Sequence, residues 1–122
     1  MSDKKEASGG LDTALKAAAI MVDKKAKDPV LLDVREISGV TDYYLIVSGS
    51  SAPHLKAMFM EVQRVLKQEG LYCFRRSGES DAGWMVIDYF DFVIHIFLEE
   101  TREYYGIEEL WAQAPKVKIP LQ

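Results

Sequence analysis

Gly49 and Ser50 stand between an apolar run and a stretch of helical periodicity, and that turn is the first place where this chain could do chemistry. A glycine-containing turn at a helix N-terminus offers free backbone amides and the positive end of the helix dipole, which together hold phosphate. Nucleotidyl transfer would also need closely spaced carboxylates soon after the turn, to hold a divalent cation on the phosphates. Between Ala52 and Glu69 the acids are Glu61 and Glu69, too far apart and both on the expected helix. Asp88 and Asp91 fall across an expected hairpin turn, at the wrong place in the chain order, and no lysine-bearing phosphate loop is present. His95 lies inside the apolar run Phe92 to Leu98, where a hydrogen-bonded core imidazole is the expectation rather than a general base. His54 falls on the first turn of a helix and reads as surface. Cys73 is the only cysteine, so neither an internal disulfide nor a thiolate-rich zinc site can form.

A second set of residues suits recognition better than reaction. Trp84 and Asp88 are four apart on an expected strand and share one side of it. A bulky aromatic beside a carboxylate can anchor a basic partner, because desolvated aromatic and charged groups dominate interfaces. The competing reading makes Trp84 a core residue and Asp88 a turn cap. Downstream, Arg102, Tyr104, Tyr105, Glu108 and Trp111 recur at helical or near-helical spacing. Packing of an amphipathic helix on a sheet explains some of them. Two adjacent tyrosines cannot both face a core, so at least one is expected outside, as an interface candidate.

The elements that position these residues follow from periodicity. Leu11, Ala14, Leu15, Ala18, Ala19, Val22 and Ala26 mark a helix with a close-packing alanine face, ended by Asp28-Pro29. Val30 to Val34 and Tyr43 to Val47 read as strands. Ser48 to Ser51 then offers hydroxyl caps to a helix from about Pro53 to Glu69, closed by Gly70. Leu71 to Arg75 reads as a third strand and Ser77 to Gly83 as a polar loop. Trp84 to Tyr89 and Phe92 to Leu98 form an antiparallel hairpin about Phe90-Asp91, apolar on both sides and hence covered on both. A short helix starts at Glu99, where acids oppose the positive end of its dipole, and Gly106 ends it before a turn carrying Trp111. Residues 1–8 are expected as a disordered tail, 9–114 as one domain and 115–122 as a C-terminal tail. The fold class is α/β, with a mixed sheet of about five strands flanked by helices.

At 122 residues, 48% hydrophobic and 28% charged, the chain has the composition of an ordinary globular domain. Its formal charge of -4 argues against a general nucleic-acid binder, which would cluster Lys and Arg against several phosphates. Acids gather at Asp88, Asp91, Glu99, Glu100, Glu103, Glu108 and Glu109, a patch suited to a basic protein or simply to water. No apolar run approaches the ~20 residues needed to span a bilayer, and the first ten residues lack the apolar core of a signal peptide. A cytoplasmic location without membrane attachment is expected.

The segments Gly83-Trp84-Met85-Val86-Ile87-Asp88-Tyr89, Asp91-Phe92-Val93-Ile94-His95-Ile96-Phe97, and Arg102-Glu103-Tyr104-Tyr105 with Glu108 and Leu110-Trp111 resemble the Iojap-like ribosomal silencing factors (RsfS). Asp23-Lys24-Lys25-Ala26, Leu32-Asp33-Val34, and Thr41-Asp42-Tyr43 leading to Ser48-Gly49-Ser50-Ser51 extend the resemblance over roughly residues 11–113. It implies a nucleotidyltransferase-like fold without the catalytic residues, no cofactor and no enzymatic activity. It also implies docking on the large ribosomal subunit through the large-subunit ribosomal protein number fourteen, which sterically blocks joining of the small subunit and represses translation. The residues it points to for that contact are Trp84, Asp88, Asp91, Arg102, Tyr104, Tyr105, Glu108 and Trp111. A homodimer in the free state is a further expectation, and direct sequence-specific nucleic-acid binding is not expected. Three positions depart from the family pattern: Phe90 in place of a glycine, Ser77 in place of a glutamate, and Gly106 in place of an acid. The first predicts a looser hairpin turn. The alternative function is a metal-dependent nucleotidyltransferase-like enzyme that binds nucleotide.

Overall fold

Leu45, Val47, Ile94 and Ile96 point to one side of two neighbouring strands, and Ile46 and Phe97 to the other; all are shielded from water. Strands apolar on both sides must be covered twice, and that requirement sets the architecture. The computed structural model describes residues 2–120 and the side chains of residues 10–120. Its elements in chain order are α1 (Ser2–Asp23), β1 (Lys27–Asp33), β2 (Tyr43–Gly49), α2 (Ala52–Gln68), β3 (Arg75–Glu79), β4 (Trp84–Asp88), β5 (Phe92–Leu98), α3 (Glu99–Tyr105), α4 (Ile107–Leu110) and β6 (Lys116–Val117). The sheet runs β3-β4-β5-β2-β1-β6, with β2 and β5 parallel and every other pair antiparallel.

The larger core lies under α1 and α2. Ala14, Ala17, Ala18 and Met21 from α1 and Leu55, Met58, Val62 and Leu66 from α2 meet Leu31, Tyr43, Leu45, Ile87, Phe92 and Ile94 from the sheet. The alanines let α1 approach closely; the spacing placed Ala14 and Ala18 on this face but not Ala17 or Met21, and Ala19, expected there, is exposed. Gly49 serves the same packing: a Cβ there would stand 2.6 Å from Leu55 Cδ2 and 2.9 Å from the Met58 methyl. On the opposite side a smaller core of Leu32, Val34, Ile46, Phe97 and Ala114 is capped by Ile107 and Trp111 from the last turns.

Several element boundaries differ from the periodicity reading, each for a local reason. Helix α1 begins at Ser2, inside the segment expected to be a disordered lead-in; Met1 lies outside the described residues. It ends at Asp23 rather than at Asp28-Pro29, because Lys25 turns left-handed (φ 72°). The Lys25 amide then donates to Val22 O and the Ala26 amide to Met21 O, which closes the end as a Schellman motif. Pro29 lies inside β1, at the register irregularity between Lys27 and Val30, where a missing N–H costs least. The third strand is Arg75–Glu79, not Leu71 to Arg75, so the first three residues of the expected polar loop belong to an edge strand and the next three, Ser80–Ala82, to a 3-10 turn. The strand's residues alternate without burial on either side, and periodicity had nothing to register. Lys116–Val117, expected as part of a tail, pairs with β1 as a sixth strand; the last two residues of that tail lie outside the described range.

The β4–β5 hairpin is as expected, with Trp84 opposite Phe97 and Asp88 opposite Val93. Its turn is tight, not loose. Tyr89 N–H donates to Phe92 O at 2.9 Å, and Phe90 itself takes the left-handed conformation (φ 78°) that a glycine would adopt freely. The Asp88 carboxylate holds that conformation by accepting the Phe90 amide at 2.7 Å.

Candidate docking face

The outer side of the β4–β5 hairpin carries Trp84, Val86, Asp88 and His95, all half-buried. Helix α3 leaves the end of β5 and folds back over the Trp84 end of this surface. Trp84 stacks on Phe97 at 4.9 Å between ring centroids, and Tyr105 lies over it at 4.7 Å. Its indole Nε1–H donates to His95 Nδ1 at 3.1 Å, so His95 accepts there and keeps its proton on Nε2. Burial pushes the His95 imidazole down to about 4. That is the neutral, hydrogen-bonded core histidine expected from its apolar strand. Trp84 is therefore a wall of the face, shared between core and surface, rather than a free anchor.

Gly106, left-handed at φ 54°, separates α3 from α4 and bends the chain so that Glu108 returns to Arg102. The two form a forked pair, Nε to Oε1 at 2.8 Å and Nη2 to Oε2 at 3.1 Å, while Arg102 Nη1 donates to the Ser48 hydroxyl at 2.8 Å. The Arg102 side chain is only 11% exposed, and its guanidinium holds the Glu108 carboxyl below the usual carboxylate range. These two expected docking residues are thus a clamp that fastens α3 and α4 to β2. Trp111 packs on Tyr44 at 5.2 Å, and Tyr44 meets His95 edge-on at 5.5 Å, which extends the aromatic floor across the sheet.

What remains open to a partner lies above this floor. Tyr104 is 81% exposed and Leu110 77%, with Tyr105 half-exposed between Tyr104 and Trp84. An apolar groove of about 330 Å³ runs between Trp84, Val86 and Tyr105 on one side and Ser77, Gly78 and Ala82 on the other. On the far side of α3 an acidic groove of about 410 Å³ is lined by Glu99, Glu103, Glu108 and Glu109. Between Glu99 and Leu110 there are five carboxylates and one guanidinium, and Arg102 is already engaged.

The structure groups six of the eight expected residues and separates two. Asp88 shares the sheet side with Trp84 but lies at the opposite end of the strand, occupied with the Phe90 amide and 3.9 Å from Arg75. Asp91 is on the far side of the turn. Its Cβ sits against Gly10 of α1, 3.1 Å from where a Cβ on that glycine would be, and partial burial with Asp42 nearby pushes its carboxyl up. Leu110 and Val86 were missed. An apolar residue on a strand or helix reads as core unless its neighbours' spacing shows which side is already taken.

The Gly49-Ser50 turn is satisfied from within. Ser50 N–H donates to His54 Nδ1 at 2.9 Å, His54 Nε2–H donates to Lys24 O at 2.7 Å, and Ser51 Oγ caps the His54 amide at 3.2 Å. Among the described residues no three His, Cys, Asp or Glu side chains converge as metal ligands, and no helix is long and apolar enough to cross a membrane.

Residues 7–122 match the model of the family described as ribosomal silencing factor during starvation. The ribosomal silencing factor RsfS of Halalkalibacterium halodurans is 37% identical over 97 residues, covering 80% of this chain and 83% of that one. The mouse protein named mitochondrial assembly of ribosomal large subunit protein 1 is 32% identical over 96 residues, 76% of this chain and 42% of its own. A crystal structure of a Chromobacterium violaceum protein superimposes with a TM-score of 0.77 at 28% identity, over 94% of this chain and 92% of that one.

Proposed function

The chain belongs to the ribosomal silencing factor family, and on that premise we propose that it is a non-enzymatic steric inhibitor which docks on the large ribosomal subunit and blocks joining of the small one. Its contact there is the large-subunit ribosomal protein number fourteen, its effect is repression of translation, and its place is the cytoplasm. The observation that carries this reading is the α3–α4 corner, where exposed Tyr104 and Leu110 and half-exposed Tyr105 stand among carboxylates. Of these, Glu99 is paired with Lys27 and Glu108 with Arg102, while Glu100, Glu103 and Glu109 have no ion-pair partner among the described residues. Aromatic and aliphatic groups at the centre with charges around them is the anatomy of a specific interface. The acidic surround favours a basic protein, and ribosomal proteins are mostly basic. The mouse relative's name ties the same kind of chain to a large ribosomal subunit. A stable contact would cover about 800 Å² on each partner, which the corner and the adjoining groove can supply. The same apolar corner is available to a second copy of the chain, so a free-state dimer would compete with docking.

Light scattering of purified subunits as they reassociate, with increasing protein, tests the proposal. Wild type is expected to suppress joining in a dose-dependent way. A Tyr104→Ala/Leu110→Ala variant removes two exposed side chains without opening the core, and losing interface anchors of about 2 kcal/mol or more should raise the dose needed at least tenfold. Unchanged joining at saturating excess of wild type over cognate subunits would sink the steric reading.

A further inference from the structure

Away from the acidic corner lies a surface of opposite character. Where α2 meets the connection to β3, a pocket of about 380 Å³ is lined by Arg64, Lys67, Tyr72, Cys73 and Arg76, with buried Tyr89 at its floor. Tyr72 is 65% exposed, and the Lys67 ammonium stands 5.8 Å from its ring centroid. Among the described residues no carboxylate pairs with Lys67 or Arg76. The Arg76 guanidinium touches only the Gln63 amide oxygen, at 3.2 Å, and the Cys73 sulfur, at 3.6 Å. Arg64 is held at the rim by Glu61. The pairing of a cation with an open ring recurs one step along the chain. Arg75 lies 5.3 Å from the Phe74 ring, and exposed Phe74 meets exposed Phe90 edge-on at 5.6 Å.

We propose that this surface binds single-stranded RNA, one base stacking on Tyr72 over the pocket and the adjoining phosphates meeting Lys67 and Arg76. Exposed aromatic faces beside unpaired cations are what a single strand needs. Every base has a face to stack, and every link carries a charge. An acidic peptide would use the cations and leave the rings idle. Duplex RNA would present its backbone but not a free base face. The second ring pair, exposed Phe74 and Phe90, offers a further aromatic face for a base. The net charge of -4 keeps binding to free RNA weak, near the ~10⁻⁴ M typical of non-specific contacts. On the ribosome such a contact would add to a docked protein surface rather than replace it. The inference deepens the proposed function and rests on it only for the source of the RNA.

Fluorescence anisotropy of a labelled ten-nucleotide uridine-adenosine RNA, titrated with the full chain between 50 and 200 mM salt, tests it. Two phosphate contacts predict a log–log salt slope of about -1.4, and Lys67→Gln and Arg76→Gln should each make it shallower by about 0.7. Tyr72→Ala should weaken binding about fivefold to tenfold with the slope unchanged, and Tyr72→Phe should restore it. All three side chains are at the surface, and circular dichroism checks that each variant is folded. Absence of binding at 50 mM salt, or binding indifferent to Tyr72→Ala, overturns the proposal. Uridine monophosphate binding as tightly as the oligomer overturns it in favour of a small-nucleotide pocket. Because no ribosome is present, RNA binding can fail while subunit joining is still blocked, or succeed while joining is unaffected.

Discussion

His95 and Trp84 illustrate how one hydrogen bond decides a residue's part. The indole N–H needs an acceptor once Trp84 is pressed between Phe97 and Tyr105, and His95 Nδ1 supplies it only while the ring is neutral. Burial holds the imidazole down to about 4 from its ordinary 6.5, so the folded chain binds fewer protons than the unfolded one between those two pH values. Above pH 6.5 the ring is neutral in both states and its contribution to stability is fully present. As pH falls from 6.5 toward 4 the unfolded chain takes up a proton that the folded chain refuses, and stability is lost through that window. The loss by pH 4.5 should be roughly 2–3 kcal/mol. Urea unfolding at pH 7 and 4.5 measures it, and His95→Gln, which keeps an acceptor for the indole but cannot titrate, should remove most of the difference. An equal loss in the variant would assign the effect to the carboxylates. On the proposed function, both serve to keep the floor of the candidate docking face in place.

Helix α3 has seven residues and α4 four, too short to persist alone, and what fixes them is the fork from Arg102 to Glu108 and its third bond to Ser48. Arg102→Met keeps much of the apolar stem but leaves Glu108 and the Ser48 hydroxyl without their partner. It should cost about 1.5–3 kcal/mol in urea unfolding, and it should weaken suppression of subunit joining by loosening the corner rather than by removing a contact. Glu108→Gln should cost less, since an amide oxygen still accepts one of the two bonds. Elements with strong periodicity were legible in the sequence: the capped α2 and the whole β4–β5 hairpin were readable to within a few residues, and the existence of α1 was readable though both of its ends were not. Edge strand β3 was not, because residues 75–79 are exposed on both sides and carry no apolar alternation. Two-residue β6 is too short for any pattern, and it exists because β1 offers it an unpaired edge. At the site, residue types pointed to the right stretch of chain but could not separate a clamp from a contact. Arg102 and Glu108 read as surface charges until the bend at Gly106 brings them together. Asp91 lies near Trp84 in sequence, yet the turn sends it to the side of the sheet that α1 covers.

Across the whole molecule, charge is segregated in a way that net charge conceals. Carboxylates crowd the α3–α4 corner, whereas the unpaired cations Lys67 of α2 and Arg76 of edge strand β3 line a separate pocket. On the proposed function, a molecule so polarised would approach a ribosome, with its basic proteins set in polyanionic RNA, in a preferred orientation. The acidic corner is drawn to protein and repelled by RNA, and the basic edge is drawn the other way. Steering of this kind acts during approach, when the charges are still solvated and separated by about a Debye length, so added salt weakens it. Once the corner is docked, its apolar centre holds independently of salt. Raising salt from 50 to 200 mM should therefore slow association with large subunits several-fold and change dissociation much less. Stopped-flow mixing of labelled protein with subunits separates the two rates. Glu100→Gln/Glu103→Gln, two exposed acids outside the Arg102 clamp, should lower the association rate at 50 mM salt and flatten its salt dependence, with dissociation nearly unchanged. Association indifferent to both salt and the double variant would mean that shape and apolar contact alone guide docking, and that the acidic corner serves only to keep the free chain in solution.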